Sequence, residues 1–211
     1  MAAGVARGLP RLPRFRCQRG CGAGHAAPFA ELAPPPYPLA VNQLPFPDRR
    51  HYEAATGWLM LGDAPSALAE LNQLSAASRA NLEVLQLEWG IHAERLDWAA
   101  ATATAQHLTE AAPDCAFGWI HRAYALRRMP GGGVSRAWEV LQPALERFPK
   151  SQIIAYNLAC YAAQMDRLDQ AWALFQRALA VTPKLGHLLR MALSDEDLKP
   201  LWPRIRATAK R

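Results

Sequence analysis

The stretch from Ser151 to Pro183 shows the pattern of apolar and polar positions that organises the chain. Its apolar residues recur at the spacing of a helix face in two runs joined by a short turn, which predicts a pair of helices. Small residues fall where the two helices must touch, and large apolar residues surround them. The final proline ends the second helix because it removes a backbone donor and clashes with the preceding turn. The small residues are Ala159, Ala171 and Ala178, and the large ones are Leu158, Trp172, Phe175 and Leu179.

The same arrangement recurs upstream at a regular interval. Two markers step together along the chain, which indicates an internal repeat of paired helices. One marker is the alanine that begins an A-x3-F element, and it recurs with spacings of 34, 36 and 34 residues at Ala67, Ala101, Ala137 and Ala171. The other is the terminating proline, and it recurs with spacings of 36 and 34 residues at Pro113, Pro149 and Pro183.

These markers resemble the tetratricopeptide repeat (TPR) family, whose signature is W-x2-L-G-x2-Y, then A-x3-F, an alanine and a proline. The resemblance covers residues 48–185 of the 211, as repeats 48–81, 82–115, 116–151 and 152–185. The fourth repeat matches best, although Ala155 and Ala162 replace its two aromatic residues. The third carries Trp119, Ala123, Ala137, Leu141, Ala144 and Pro149, and the second keeps Ala101, Leu108 and Pro113 but has Trp89 at a position that is normally small. The first keeps Ala55, Trp58, Gly62 and Ala67, and has Arg79 in place of the proline.

The resemblance implies an all-α fold, a right-handed α-solenoid of about four helix-turn-helix repeats. A repeat array needs its last apolar face covered, so we expect residues 186–211 to form a C-terminal capping segment with a helix. The resemblance also implies a protein-interaction module, an adaptor or scaffold, that binds a peptide or protein segment in a concave groove lined by the first helix of each repeat. The groove residues that it implies are Phe117, Ile120, His121, Tyr124, Arg127, Arg128, Ile153, Tyr156 and Asn157.

The turns between paired helices carry residues that end one helix and start the next. Glycine takes positive φ freely, so Gly62 is expected to end the first helix, and Asp63 and Asp97 are expected to cap second helices. The third repeat has Pro130–Gly133 in its turn, which accounts for its longer spacing, and Ser135 is expected to cap the helix that follows. The predicted helices of the first two repeats span about 49–61, 64–77, 83–95 and 98–111.

Residues 1–47 lack helical or strand periodicity and hold five arginines against one acid, which is +4 of the net +6. Their Arg-, Ala-, Gly- and Pro-rich composition predicts disorder. Three interpretations stay open for this tail: an unstructured extension, a mitochondrial transit peptide and a secretory signal. Cys17-x3-Cys21-x3-His25 supplies only three candidate ligands at unusual spacing, so no metal site is expected there.

The rest of the composition is that of a soluble protein, with 51% hydrophobic and 20% charged residues. No apolar run approaches the roughly 20 residues that a membrane span needs. Four scattered cysteines favour a reducing compartment, so we expect a cytoplasmic protein, or a mitochondrial one if the tail is a transit peptide.

No catalytic motif is present: there is no G-x-S-x-G elbow, Walker loop, H-E-x-x-H or C-x2-C pair. We therefore expect no enzyme activity, cofactor or small-molecule substrate, and a monomer unless the chain joins a complex. Two alternatives to the peptide-binding module remain, a structural or assembly subunit and a nucleic-acid-associated protein acting through the basic tail.

Overall fold

The structure is a computed structural model that describes residues 44–183 and 185–209. The predicted tail, apart from residues 44–47, and the Cys17, Cys21 and His25 triplet lie outside these residues. Within them the chain is all-helical, as the periodicity predicts, and it contains no strand. No helix of this described part is long and apolar enough to cross a membrane.

The helices follow one another with short connections. The α-helices are α1 (Asp48–Met60), α2 (Ala64–Leu71), α3 (Ala76–Arg79), α4 (Leu82–Glu94), α5 (Trp98–Ala111), α6 (Ala116–Arg128), α7 (Val134–Leu141), α8 (Ala144–Arg147), α9 (Gln152–Gln164), α10 (Leu168–Val181), α11 (Leu185–Ala192) and α12 (Trp202–Ala209). A 3₁₀ helix, Glu196–Leu201, lies between the last two.

Helices pack as hairpins in chain order. The pairs are α1 with α2, α4 with α5, α6 with α7 and α9 with α10, and each hairpin contacts the next through α2 and α4, α5 and α6, and α7 and α9. The alanines that mark the sequence repeat are all fully buried, since a larger side chain at these positions would meet the neighbouring helix. They are Ala67, Ala101, Ala137 and Ala171, each with 0% of its surface exposed.

Three of the hairpin turns share one backbone conformation. The second residue after the first helix has positive φ, and the amide of the next residue donates to the carbonyl five residues before it, as in a Schellman motif. This residue is Gly62 (φ 83°), Leu96 (φ 58°) or Asp166 (φ 60°). The closing hydrogen bonds are Asp63 N to Trp58 O, Asp97 N to His92 O and Arg167 N to Ala162 O, each 2.9 Å long.

Two of the predicted helix caps are confirmed. A carboxylate oxygen of Asp63 accepts from the backbone nitrogen of Ser66 at 3.0 Å. Asp97 does the same for the nitrogen of Ala100 at 3.1 Å. Each aspartate therefore supplies an acceptor to a backbone N–H that has no partner within its helix.

The third predicted cap, Ser135, is wrong. Helix α7 already begins at Val134, and the residue before it is Gly133 with φ 111°. A residue with a side chain is strained at such a φ, so glycine occupies the position and the helix starts without a side-chain cap. Ser135 lies inside the first turn instead, where its hydroxyl is 3.8 Å from the sulfur of Met165.

The helix predicted over about 64–77 is shorter than expected. Helix α2 ends at Leu71, and the chain turns before Ser75 caps α3. The carboxylate of Asp48 stabilises this break, since it accepts from the hydroxyl of Ser75 at 2.5 Å and from its backbone nitrogen at 3.3 Å. These hydrogen bonds favour the charged carboxylate and lower the pKa of Asp48.

The C-terminal helices cover the apolar face of the last hairpin. The 3₁₀ helix packs on α9 and α10, and α12 packs on α11 and the 3₁₀ helix. Leu198, Leu201 and Ile205 are at most 1% exposed and share one core cluster with the buried side chains of α9 and α10. This segment also places two acidic residues, Asp195 and Asp197, against α6 and α9.

Candidate functional site

The residues predicted to line a groove lie on α6 and α9, and the structure divides most of them between two neighbouring clusters. The aromatic cluster joins α4, α5 and α6 and consists of Trp89, Trp98, Phe117, His121, Tyr124 and Arg128. The acid-bound cluster joins α6 and α9 to the C-terminal segment and consists of Arg127, Tyr156, Cys160, Gln164, Asp195 and Asp197.

Trp89 is the centre of the aromatic cluster. It is 3% exposed and meets the rings of Phe117, His121 and Tyr124 edge-on, with centroid distances of 6.1, 4.3 and 6.1 Å. Edge-to-face contacts place the positive edge of one ring against the negative face of another. A residue that is too large for the repeat pattern therefore fills the space between α4 and α6 and holds three predicted groove residues together.

His121 is an uncharged member of this cluster. Its ring stacks on Phe117 at a centroid distance of 3.7 Å, and its Nδ1 lies 2.9 Å from the carbonyl oxygen of Phe117. Because a carbonyl only accepts, Nδ1 carries the proton. Burial lowers the pKa of His121 to about 4, so the imidazole is neutral at pH 7. It contributes an aromatic surface rather than a positive charge.

Arg128 supplies the positive charge of the aromatic cluster. Its guanidinium carbon lies 3.5 Å from the ring centroid of Tyr124 and 5.7 Å from that of Trp98. Its Nη1 donates to the carbonyl oxygen of Tyr124 at 3.1 Å. Within residues 44–183 and 185–209, no carboxylate forms an ion pair with it. Although Arg128 is exposed as a residue, partial desolvation of its guanidinium lowers its pKa.

Arg127 binds a carboxylate of the C-terminal segment. Its Nη1 and Nη2 donate to the two carboxylate oxygens of Asp197, the second bond being 2.7 Å long. Such a forked pair fixes both the position and the orientation of the acid. The hydrogen bonds that Arg127 donates to Asp197 favour the charged guanidinium and raise the pKa of Arg127. The guanidinium also lies over the buried ring of Tyr161, 5.6 Å from its centroid.

Three side chains of α9 complete the acid-bound cluster. The hydroxyl of Tyr156 donates to Asp195 at 2.8 Å, the sulfur of Cys160 lies 3.6 Å from the same oxygen, and the amide of Gln164 donates to the backbone oxygen of Asp197 at 3.2 Å. Burial raises the pKa of both Tyr156 and Cys160, so both stay protonated at neutral pH and act as donors.

The acid-bound cluster also contains a group of possible metal ligands. Atoms of Cys160, Asp195 and Asp197 lie within 4.8 Å of one another. The thiol is protonated, whereas a metal binds the thiolate, and Arg127 already occupies both oxygens of Asp197. The three residues are therefore better suited to hydrogen bonds with the surrounding side chains than to binding a metal ion.

The remaining predicted groove residues lie near these clusters. Ile120 is half-buried and packs against the core, while Ile153 and Asn157 are half-buried on α9. Two further members of the site, Cys160 and Gln164, stand at positions of the fourth repeat that the resemblance also assigns to the groove. Sequence reasoning missed the other four, namely Trp89, Trp98, Asp195 and Asp197. One signal was available for Trp89, whose size departs from the repeat pattern. Asp195 also caps the 3₁₀ helix, since its carboxylate accepts from the backbone nitrogen of Asp197 at 3.0 Å.

No protein-family model matches the chain, and no curated protein is significantly similar to it. The resemblance to the TPR family therefore depends on the residues and the geometry of this chain alone.

Proposed function

We propose that residues 48–185 form four TPR-like repeats in a right-handed superhelix, and that the protein is an interaction module. Its groove is lined by α1, α4, α6 and α9. The chain's own acidic turn occupies the α9 end, and a peptide or protein segment binds to the rest. The observation that carries this proposal is the aromatic cluster, in which Tyr124, Trp98 and an exposed Arg128 lie together. This cluster neighbours the acid-bound cluster, where the C-terminal segment with Asp195 and Asp197 lies on α9.

The recurring turns support the four-repeat interpretation. Positive φ occurs at Gly62, Leu96 and Asp166, which stand at the same place in the first, second and fourth repeats. The third repeat makes its turn with Gly131 and Gly133 instead, where the two extra residues of the sequence fall. A chain with unrelated helical hairpins has no reason to repeat one turn geometry at one spacing.

The chemistry of the two clusters supports peptide binding. Aromatic rings supply contact area with little loss of side-chain entropy, and arginine pairs with carboxylates by forked hydrogen bonds. The acid-bound cluster shows that side chains of α6 and α9 hold an acidic turn, since Arg127, Tyr156 and Gln164 all donate to the segment containing Asp195 and Asp197. A single small groove of this kind gives modest affinity, micromolar or about −8 kcal/mol.

A selection experiment tests the proposal with the full-length chain. Random peptides displayed on phage are selected on the wild-type protein, and the recovered peptides are synthesised and titrated by fluorescence polarisation. We expect micromolar binding that is lost in the double variant Tyr124→Ala with Arg128→Ala. Because Tyr124 packs on Trp89 and Trp98, the melting temperature of this variant should fall, and circular dichroism checks that it stays folded at the temperature of the titration. The matched control is Arg136→Ala, an exposed position on α7, which should bind as the wild type does. Failure to recover any peptide, or equal binding by the double variant, contradicts the proposal.

A second candidate function is that of an assembly subunit. Three large apolar side chains at the α1–α2 and α4–α5 turns favour it, since Met60, Leu61 and Leu96 are 71%, 79% and 53% exposed. Native mass spectrometry separates the two candidates. A monomer supports the interaction module, whereas an oligomer that dissociates in Leu61→Ser with Leu96→Ser supports assembly through these turns.

A further inference from the structure

Two consecutive arginines end α6, and the guanidinium of each lies over an aromatic ring. The guanidinium of Arg127 lies over the ring of Tyr161, and that of Arg128 lies over the ring of Tyr124. Arginine prefers such aromatic faces because its guanidinium is flat and weakly hydrated. The two residues therefore present two oriented guanidinium groups, each a fork of N–H donors, at the end of α6, that of Arg127 toward α9 and that of Arg128 toward α5.

One of the two forks is filled. Both oxygens of Asp197 accept from Arg127, and the preceding acid, Asp195, accepts from Tyr156. The occupant is thus a short acidic turn whose carboxylates stand two residues apart. The acidic turn lies on α9, and it shows which chemical group this end of the groove binds: a carboxylate, held by an arginine whose guanidinium lies over an aromatic ring.

The guanidinium of Arg128 is oriented before any ligand binds, but no carboxylate is paired with it. One nitrogen of Arg128 donates to the carbonyl of Tyr124, which fixes the guanidinium over the ring and leaves further N–H donors of the fork for another acceptor. Among the described residues no carboxylate lies within ion-pair distance of it, although Asp197 is near enough for its charge to favour the charged guanidinium. Restricting a charged side chain before binding reduces the entropy lost when a ligand arrives.

From this comparison we propose that Arg128, with Tyr124 and Trp98, is a carboxylate-binding position that takes an Asp or Glu side chain from an acidic segment of a partner protein. The inference rests on the proposed function, because it names the partner chemistry of the same groove. The partner's acid lies next to Asp197 of this chain, on the neighbouring arginine, and its adjoining residues contact the rings of the aromatic cluster.

The surroundings favour a single carboxylate over a more highly charged anion. A phosphate group carries nearly two negative charges and is bound by clusters of arginines. Here Arg127 is already paired with Asp197, and Asp195 adds a second carboxylate whose side-chain partners in the described residues are the neutral Tyr156 and Cys160, so Arg128 alone remains to bind a ligand. His121, the histidine of the aromatic cluster, is neutral at pH 7 and adds no charge. A single carboxylate adds less negative charge beside these two acids than a phosphate group does.

A double-mutant cycle between protein and peptide tests this inference. The probes are the phage-selected peptides described above, each made with its Asp or Glu and with the corresponding Asn or Gln, and each titrated against the wild type and Arg128→Gln. We expect Arg128→Gln to weaken the acidic peptide about tenfold, as for one charge-assisted hydrogen bond. It should leave the amide peptide unchanged. Arg128→Lys, which keeps the charge but loses the fork, should give an intermediate loss, and Arg136→Gln should give none.

The outcomes separate this inference from the proposed function. Recovered peptides that need Tyr124 but carry no acid, or that bind Arg128→Gln as well as the wild type, overturn the inference and leave the interaction module standing. A selection that recovers no peptide overturns both. Two further peptides identify the source of the anion. A large gain from phosphoserine in place of the acid, or a loss of binding on amidation of the peptide's C-terminus, also overturns the assignment to an Asp or Glu side chain.

Discussion

The pairing of Arg127 with Asp197 gives the sharpest test of how the C-terminal segment is held on α6 and α9. The change Asp197→Asn keeps the shape of the side chain and removes the charge, and Arg127→Gln removes the fork. The two side chains are only 23% and 24% exposed and share two hydrogen bonds. A hydrogen bond to a charged group contributes about 1.5–3 kcal/mol, and an exposed ion pair less than about 1 kcal/mol. For this partly buried pair we expect a coupling free energy of about 1–2 kcal/mol.

The assay is urea unfolding of the wild type, the two single variants and the double variant, followed by circular dichroism. Free energies are compared at equal slope with urea, since a change in slope signals loss of two-state behaviour. A control cycle uses Arg204→Gln with Asp169→Asn. That pair also joins the C-terminal helices to the last hairpin, but its side chains are 47% and 93% exposed. Its coupling should stay below about 0.5 kcal/mol.

A coupling between Arg127 and Asp197 that is no larger than the control value would refute this reasoning. The segment would then be held by its apolar side chains alone, chiefly Leu198, Leu201 and Ile205, which are buried in either case. The comparison of the two forks at the end of α6 would lose its basis as well.

Three further predictions concern backbone conformation, packing and protonation. Leu96→Gly should raise the free energy of unfolding by about 1 kcal/mol, because glycine relieves the strain of a left-handed φ of 58° at a half-exposed position. Leu96→Ala keeps a Cβ and should give no such increase. Urea unfolding measures both variants. Gly118→Ala should lower the free energy of unfolding by about 1–3 kcal/mol in the same assay, since the added Cβ would lie 2.9 Å from the backbone nitrogen of Thr109. Its control is Gly57→Ala, which should be neutral or stabilising because the added Cβ would have nothing within 4 Å. Burial lowers the pKa of His121 from 6.5 to about 4, so the unfolded chain binds more protons than the folded chain below pH 6.5. The free energy of unfolding should therefore fall as the pH drops below 6.5, by roughly 2 kcal/mol at pH 5, and level off near pH 4. The variant His121→Gln should lack this part of the pH dependence.

Local sequence signals account for most of the helix boundaries. Asp63 and Asp97 cap helices as predicted because a short acidic side chain reaches the unpaired N–H groups of the next turn. Gly62 takes positive φ as expected. Asp166 adopts the same conformation, which aspartate tolerates, but Leu96 adopts it although leucine does not favour it, so the packing of the hairpin determines φ at Leu96. Only the register of the repeat could have pointed to them.

Long-range contacts explain what the sequence did not predict. The helix expected to continue to about residue 77 is interrupted because Asp48, far upstream, accepts from Ser75. The pair Arg127 and Asp197 depends on the path that the chain takes after α10, and no local pattern specifies that path. The groove residues on α6 were predicted from the repeat register, but the acids that lie against them were not.

The C-terminal segment with Asp195 and Asp197 limits the surface that a partner can bind. Because Asp195 and Asp197 cover Tyr156, Cys160 and part of α9, the surface that remains for a ligand is on α6 and the first helices before it. A partner segment is therefore expected to run over the aromatic cluster and to end near Arg127, where the chain's own acidic turn begins.

The central claim is that a peptide binds to the surface formed by the first helices of the hairpins. The most direct test is to record the backbone and side-chain NMR signals of the full-length protein while a selected peptide is added. The account predicts shifts confined to α4 and α6, to Trp98 at the start of α5 and to the guanidinium of Arg128, with α7 and α10 unchanged. Shifts confined to α7 and α10, or no shift with any peptide, would contradict it.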